Sequence, residues 1–308
     1  MEDRIYDVII IGGGPAGCTA AIYAARAGLD AVLIEQLSAG GQMLLTEKIE
    51  NYPGFSEGID GFTLGAKMLE SALRFGAETL QAEVLGADLL AEPKRIRTSS
   101  KDLYARTVII AAGAKHKHLG LSHEDELIGK GVGYCAACDG MFYKDKVTAV
   151  VGGGNTAAAD ALTLSRICRR VYLIHRRDTL RAEKIYRDQL ERAENIEFRW
   201  NSVVTDLIYD TKLRGAVISE RDGITEELKL DGLFISIGMA PLSGIFCSQL
   251  VLDAAGFIVA NESTRTSIPG VFAAGDIRSK SVRQIITAAA DGASAVHYAQ
   301  EYLTEKMG

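Results

Sequence analysis

No apolar stretch in the sequence approaches the ~20 residues that a membrane-spanning helix needs, so a membrane protein is not expected. There is no basic surplus either: 34 Lys and Arg against 40 Asp and Glu leave a formal net charge of -6. That balance argues against nucleic acid or an anionic membrane surface as a partner. The five cysteines, Cys18, Cys135, Cys138, Cys168 and Cys247, do not make the even framework of a disulfide-stapled secreted domain. Residues 1–7 are short and mixed in charge, with no secretory apolar region ahead of the first strand. Together these absences make the reducing cytoplasm the expected compartment. Proline is scarce at 5 while glycine reaches 32, as expected where glycines let the backbone approach phosphates closely.

What the chain does have is a repeat. Residues 6–11, apolar but for Asp7, run straight into Gly12-Gly13-Gly14-Pro15-Ala16-Gly17. A helix pattern over 20–27 ends at Gly28, and an apolar strand over 31–34 stops at Glu35. Strand, glycine-rich turn, helix and strand make a βαβ unit with the long apolar strands of a parallel sheet. The same unit recurs at 147–151, Gly152-Gly153-Gly154-Asn155-Thr156-Ala157, a helix to about Ile167, and a strand over 171–174. Gly12 maps onto Gly152, Ile34 onto Ile174 and Glu35 onto His175, a constant offset of 140 residues.

Apolar strands over 107–112, 232–237 and 271–274 each stop at a glycine: Gly113, Gly238 and Gly275. The third of these belongs to one half only. The simplest topology is an α/β chain of two Rossmann-like domains, the second inserted into the first. The first is expected to span 1–114 and 243–308, the inserted one 115–242, with crossings near 114–119 and 240–244.

Both turns suit a pyrophosphate, because glycines admit close backbone approach and the following helix start carries partial positive charge. The strand ends separate the ligands. Glu35 can accept from ribose hydroxyls and would repel a 2′-phosphate, the alternative being a solvated loop acid. At the equivalent place in the second unit stand His175, Arg176 and Arg177, with Arg181 beyond. Guanidinium forks match a phosphate dianion, so this site is expected to prefer NADPH; the alternative is a basic helix start facing water. For the first site FAD is the better choice than NAD. Asp276 can bond a ribityl chain, the loops Gly40-Gly41-Gln42 and Asn51-Tyr52-Pro53-Gly54 can pass near an isoalloxazine, and Arg283-Gln284 opens the last helix. The expected FAD contacts are Gly12, Gly14, Pro15, Ala16, Glu35, Gln36, Gly40, Gly41, Gln42, Asn51, Val84, Ala112, Gly113, Asp276, Arg283, Gln284 and Ile285. The expected NADPH contacts are Gly152, Gly154, Asn155, Thr156, His175, Arg176, Arg177, Arg181, Ile237 and Gly238.

Cys135 and Cys138 are spaced for a small-loop disulfide, for half a zinc site, or for an inert thiol pair. Structural zinc needs a second close pair, which Cys18, Cys168 and Cys247 do not supply, and no metal is expected. His116, His118 and His123 are loosely spaced in a Lys-rich segment and are expected to be solvated. A redox pair is the favoured reading, with thiol pKa values depressed if a helix after Tyr134 starts at the sulfurs. Asp139 is placed to shuttle a proton, or to cap a turn, or both.

With these residues in order, GGGPAG, GGQ, ENYPG, AAGA, CAACDG, GGGNTA, HRRDTLRAEK, IPGVFAAGD and RQ, the chain resembles the low-molecular-weight, bacterial-type thioredoxin reductases over nearly its whole length. The resemblance implies an FAD-containing homodimer that takes electrons from NADPH and reduces thioredoxin. It implies that Cys138 faces the flavin, that Cys135 attacks the partner disulfide, that Asp139 is the acid-base residue, and that the NADPH domain rotates. Departures from the family pattern are Ala112 for Thr, Ala159-Asp160 for Glu-Glu, which bears on nicotinamide positioning, and Ala290 for Gly, a packing matter. A reductase of another small disulfide protein, a flavin-dependent thiol oxidase and a non-enzymatic redox sensor are the rival readings.

Overall fold

The computed structural model describes residues 4–46 and 48–307. The chain divides into two compact units, Met1–Lys115 with Ala240–Gly308, and His116–Met239. In the first, apolar β-branched residues build β1 (Ile5–Ile11) and β2 (Ala31–Glu35), joined by α1 (Pro15–Arg26). The proline at the first helical position presets φ for the helix, so α1 begins at Pro15 and not near Ala20. α2 (Gly61–Arg74) is capped by Asp60, which accepts from the Thr63 N–H at 2.8 Å. β3 (Glu78–Gln81), β4 (Val84–Asp88), β5 (Lys94–Thr98) and β6 (Asp102–Ile110) follow. The sheet runs β3-β2-β1-β6-β5-β4, parallel as far as β6 and antiparallel beyond it.

β7 (Ala114–His116) leads into the second unit, which opens with β8 (Val132–Gly133) and the short α3 (Ala136–Asp139). The repeated βαβ is β9 (Val147–Val151), α4 (Asn155–Ser165) and β10 (Arg170–Ile174), then α5 (Lys184–Arg192) and β11 (Ile196–Arg199). An antiparallel meander, β12 (Ser202–Tyr209), β13 (Leu213–Glu220) and β14 (Thr225–Lys229), precedes β15 (Gly232–Ile235). The parallel sheet of this unit is β11-β10-β9-β15-β8. The chain leaves through β16 (Met239–Pro241), and β17 (Val271–Ala273) and α6 (Ile285–Met307) complete the first unit. β17 pairs with β6 through Val271 and Val108, which settles that the third glycine-terminated strand belongs to the first unit.

Alternate residues of each parallel strand face opposite layers. Val8 and Ile10 join a core with α1, α2 and α6, while Ile9 and Ile11 join a second core with Ile34, Ile110 and Ile277. Ala149 and Val151 against Val150 repeat the division in the second unit. A strand buried on both faces has no polar positions to alternate, which is why these strands read as unbroken apolar runs.

Candidate active site

In the first unit, β1 ends at Gly12, whose φ of +103° suits glycine, and a Cβ there would lie 2.5 Å from the Ala111 carbonyl oxygen. The turn thus sits against the end of β6, beside Ala112 and Gly113. Gly14 precedes α1 as its N-cap with no side-chain cap, and a Cβ on Gly14 would meet nothing within 4 Å. An uncapped helix start opening on free space offers backbone donors to an anion. Glu35 places Oε2 2.6 Å from the Gly13 N–H and Oε1 2.8 Å from the Gln36 N–H. Oε1 also accepts from the Leu37 N–H at 3.1 Å, so the carboxylate shapes the turn and Oε2 retains a lone pair for a ribose hydroxyl.

The second loop packs on the first: the Gly40 N–H donates to the Gly13 carbonyl at 2.8 Å, and a Cβ on Gly41 would lie 3.3 Å from the Gly14 Cα. Gln42 is exposed beside it. Asn51 donates to Gln284 at 3.1 Å, joining two segments far apart in sequence, and the loop 50–56 lines a hollow of about 520 Å³. Val84 packs on the core that holds Ile34 and Ala82. Gly275, at φ +77°, approaches Ala16: a Cβ there would lie 2.9 Å from the Ala16 Cβ. The next residue, Asp276, has a buried Oδ1 with no partner among the described residues, as has Arg283 at Nε. Burial raises the Asp276 carboxyl, while Lys280 and Arg283 pull it back. Arg283 stacks over Phe257 at 4.2 Å, and Ile285 opens α6. The uncapped start of α1 and an orphaned buried acceptor fit a dinucleotide with a polyol arm.

In the second unit Gly152 abuts β15, a Cβ lying 2.4 Å from the Ser236 carbonyl oxygen, and Gly154 again opens on free space before an α4 with no side-chain cap. Ile237 and Gly238 are exposed just past that carbonyl. Asn155 is clasped by Glu183 in both directions, at 2.8 and 2.9 Å, and Thr156 is exposed. The Arg181 N–H donates to the Gly153 carbonyl at 2.7 Å, so the basic loop folds back onto the turn. Arg176, Arg177 and Arg181 are exposed and form no ion pair among the described residues. His175 stands apart from them. It is 6% exposed beneath the turn, its Nε2 has no partner among the described residues, and burial lowers its pKa, with the arginines adding to the effect. It props the turn where the arginines rim it. A Cβ on Gly153 would lie 2.1 Å from the His175 ring. Gly153→Ala is expected to displace that ring and weaken nicotinamide nucleotide binding at least about tenfold. A titration that finds wild-type affinity would contradict this.

A hollow of this unit, about 350 Å³, lies at the first residues of β9 and β10 beside β14, at the strand ends opposite the turn. It carries none of the site chemistry.

Cys135 and Cys138 form a disulfide with Cα atoms 5.3 Å apart. Cys135 is the N-cap of α3, and its carbonyl accepts from the Cys138 and Asp139 N–H groups, each at 3.1 Å. The helix after Tyr134 is a single turn of four residues. Cys138 is exposed and Cys135 half-buried. Burial pushes the Asp139 carboxyl up to about 6. Two expectations need correcting. His116 is not solvated: it stacks on Tyr134 with centroids 4.7 Å apart, and burial pushes its pKa down to about 4. The helix expected to run to about Ile167 ends at Ser165, so Cys168 lies beyond α4. Asp160, singled out in the sequence as a departure, is half-buried and accepts from Ser236; the cluster of Arg278, Lys280 and Asp291 was missed. Lone charged residues in the sequence carry no sign of their burial.

Among the described residues no His, Cys, Asp and Glu cluster could hold a metal. A disulfide presented at a helix start, in the same unit as one of two dinucleotide turns, defines a pyridine nucleotide-disulfide oxidoreductase. The chain matches the family described as pyridine nucleotide-disulphide oxidoreductase over residues 6–292. It is 46% identical to a thioredoxin reductase of Listeria monocytogenes, over 99% of this chain and 96% of that protein, and 45% identical to one of Bacillus subtilis with the same coverage. Among solved structures it is similar to a thioredoxin reductase from Streptococcus pyogenes, with TM-score 0.91, 40% identity, and 99% and 100% of the two chains covered. The chain belongs to the pyridine nucleotide-disulfide oxidoreductases and, within them, to the thioredoxin reductases. It is an oxidoreductase of a class that works with flavin and nicotinamide cofactors.

Proposed function

We propose that the enzyme carries FAD at the turn of the first unit, binds NADPH at the turn of the second, and uses Cys135 and Cys138 to reduce the disulfide of thioredoxin. The observation that carries this reading is the Cys135–Cys138 disulfide on α3, in one compact unit with a dinucleotide turn rimmed by three exposed arginines. Arg176, Arg177 and Arg181 would hold the 2′-phosphate, and the N–H groups at the start of α4 the pyrophosphate. On the flavin side the start of α1 would take the pyrophosphate, Glu35 the ribose and Asp276 the ribityl chain. A bound flavin would supply two-electron transfer between the nicotinamide and the protein disulfide.

The chemistry on sulfur is thiol–disulfide exchange. One thiolate, assigned to Cys135, attacks a sulfur of the thioredoxin disulfide. The bond between the thioredoxin sulfurs breaks as a mixed disulfide forms, and the departing thiolate takes a proton. Cys138 then attacks Cys135, releasing the second thioredoxin thiol and restoring the Cys135–Cys138 bond. Asp139, neutral below about 6, is placed to protonate the thiolate released when its own disulfide is reduced. Its acid form is lost as pH rises through that value. The rate of dithiol formation in stopped flow is therefore expected to fall across pH 6, and Asp139→Asn to be slower and to lack the inflection. The same inflection in the variant would remove Asp139 from this role.

The chain's cysteine usage supports a cytoplasmic home, and the resemblance supports a homodimer, expected to elute at twice the chain mass of 33.1 kDa. The function itself is tested by NADPH consumption with and without oxidised thioredoxin. Multiple turnovers that depend on thioredoxin are expected; equal consumption in air alone, with peroxide formed in step, would favour an oxidase instead.

A further inference from the structure

Two buried carboxylates lie near the C-terminal end of the first unit, and their partners differ. Asp291, on α6, is 6% exposed. It accepts from the Gly275 N–H at 2.9 Å, from Arg278 Nε at 2.8 Å and Nη2 at 2.9 Å, and from Lys280 Nζ at 2.8 Å. The Arg278 and Lys280 side chains are only 3% and 7% exposed, and Arg278 reaches on to the Ala260 carbonyl and to Glu262, each at 3.3 Å. Asp276, two residues before Arg278, keeps Oδ1 buried and unpartnered among the described residues. A saturated carboxylate cannot serve a ligand, and an orphaned one is costly until a ligand supplies its donor.

The next residue of α6 extends the connection. A Cβ on Gly292 would lie 2.1 Å from the Ala16 carbonyl oxygen, so the helix packs directly on the first turn of α1. Adjacent residues of one rigid helix thus touch both halves of the cradle: Gly292 meets the dinucleotide turn, and Asp291 holds the turn Gly275–Ile277.

We propose that Asp291 is a positioning residue for the flavin, one that fixes the turn Gly275–Ile277 so that Asp276 presents its free oxygen to the hydroxyls of a polyol chain. The inference rests on the assignment of FAD to this unit and deepens it. Asp291 also keeps Lys280 engaged. Burial alone would raise the Asp291 carboxyl, but the bonds from Arg278 and Lys280 outweigh it and keep it ionised. Without that charge Lys280 is drawn toward Asp276, and the acceptor meant for the ligand is taken by the protein.

The test is a titration of FAD into the full chain freed of flavin, followed by quenching of flavin fluorescence, with the melting temperature of the flavin-free protein and NADP⁺ affinity measured alongside. Asp291→Asn keeps the shape and removes the charge. A double variant, Asp291→Leu with Arg278→Met, replaces that buried pair by apolar chains, a change often near neutral for folding, and leaves Lys280 free to turn to Asp276. Both are expected to bind FAD about tenfold to a hundredfold more weakly. NADP⁺ affinity should stay unchanged, and the double variant should melt within a few degrees of wild type. FAD affinity that falls only in step with melting temperature and NADP⁺ binding would make the role structural and overturn the proposal. Equal FAD binding by wild type and Asp291→Asn would overturn this proposal alone. A wild-type chain that takes up no FAD would overturn the cofactor assignment and the proposal with it.

Discussion

Cys135→Ser and Cys138→Ser are each expected to abolish thioredoxin reduction while NADPH still bleaches the flavin band. Serine preserves the size and polarity of the side chain, and α3 is held by backbone bonds to the residue-135 carbonyl, so the turn should survive either change. What is lost is the thiolate, since a hydroxyl is not ionised at neutral pH and does not exchange with a disulfide. The two variants should also differ from each other. With Cys138 removed, Cys135 has no resolving partner and should accumulate a mixed disulfide with thioredoxin, visible on a non-reducing gel. Cys135→Ser should not, if Cys135 is the attacking thiol. Exposure alone favours the opposite assignment, because Cys138 is the more exposed residue of the pair. A stable adduct with Cys135→Ser and none with Cys138→Ser would exchange the two roles. Full turnover by either variant would remove the dithiol from the reaction.

The second large effect is on nucleotide choice. Arg176→Ala with Arg177→Ala is expected to raise KM for NADPH strongly and KM for NADH little. A hydrogen bond to a charged group contributes roughly 1.5–3 kcal/mol, which corresponds to a tenfold to hundredfold loss. Both side chains are exposed, so their removal leaves no buried group unpaired and the melting temperature should hold. Exposure also means screening, and the wild-type preference for NADPH should shrink as salt is raised. His175→Ala should behave differently, disturbing both nucleotides and stability, because that ring lies beneath Gly153 and away from the rim. Equal losses for NADPH and NADH in the arginine variant would reject the 2′-phosphate role.

The two glycine turns, the strands feeding them and the 140-residue repeat were open to reading because local sequence dictates them. A buried parallel strand must be apolar throughout, and a turn at φ +103° calls for glycine. The antiparallel pieces were not legible. In β4–β5 and in β12–β14 polar and apolar residues mix at exposed positions, as at Arg95, Arg97 and Glu226, and pairing with a neighbour, not pattern, makes them strands. The same limit hides Asp291. Nothing local distinguishes it from an exposed helix acid, and only Arg278, Lys280 and the Gly275 amide, brought to it by the fold, make it a buried hub. Asp139 could be chosen for its place beside Cys138, but its displacement to about 6 comes from burial, a property of the packed unit. Ala290 shows the reverse case: a packing role was expected, yet the residue is exposed on α6 and nothing in the structure explains the substitution.

In the proposed reaction, reducing equivalents pass from NADPH through a bound flavin to Cys135 and Cys138 and out to thioredoxin. The most direct measurement is an anaerobic titration of the purified protein, first with NADPH and then with oxidised thioredoxin, following the flavin spectrum and counting free thiols. The protein should be yellow, consume NADPH for both its flavin and its disulfide, gain two thiols, and return to the oxidised spectrum as thioredoxin is added. A colourless protein, or a flavin that NADPH reduces while thioredoxin leaves it reduced, would contradict it.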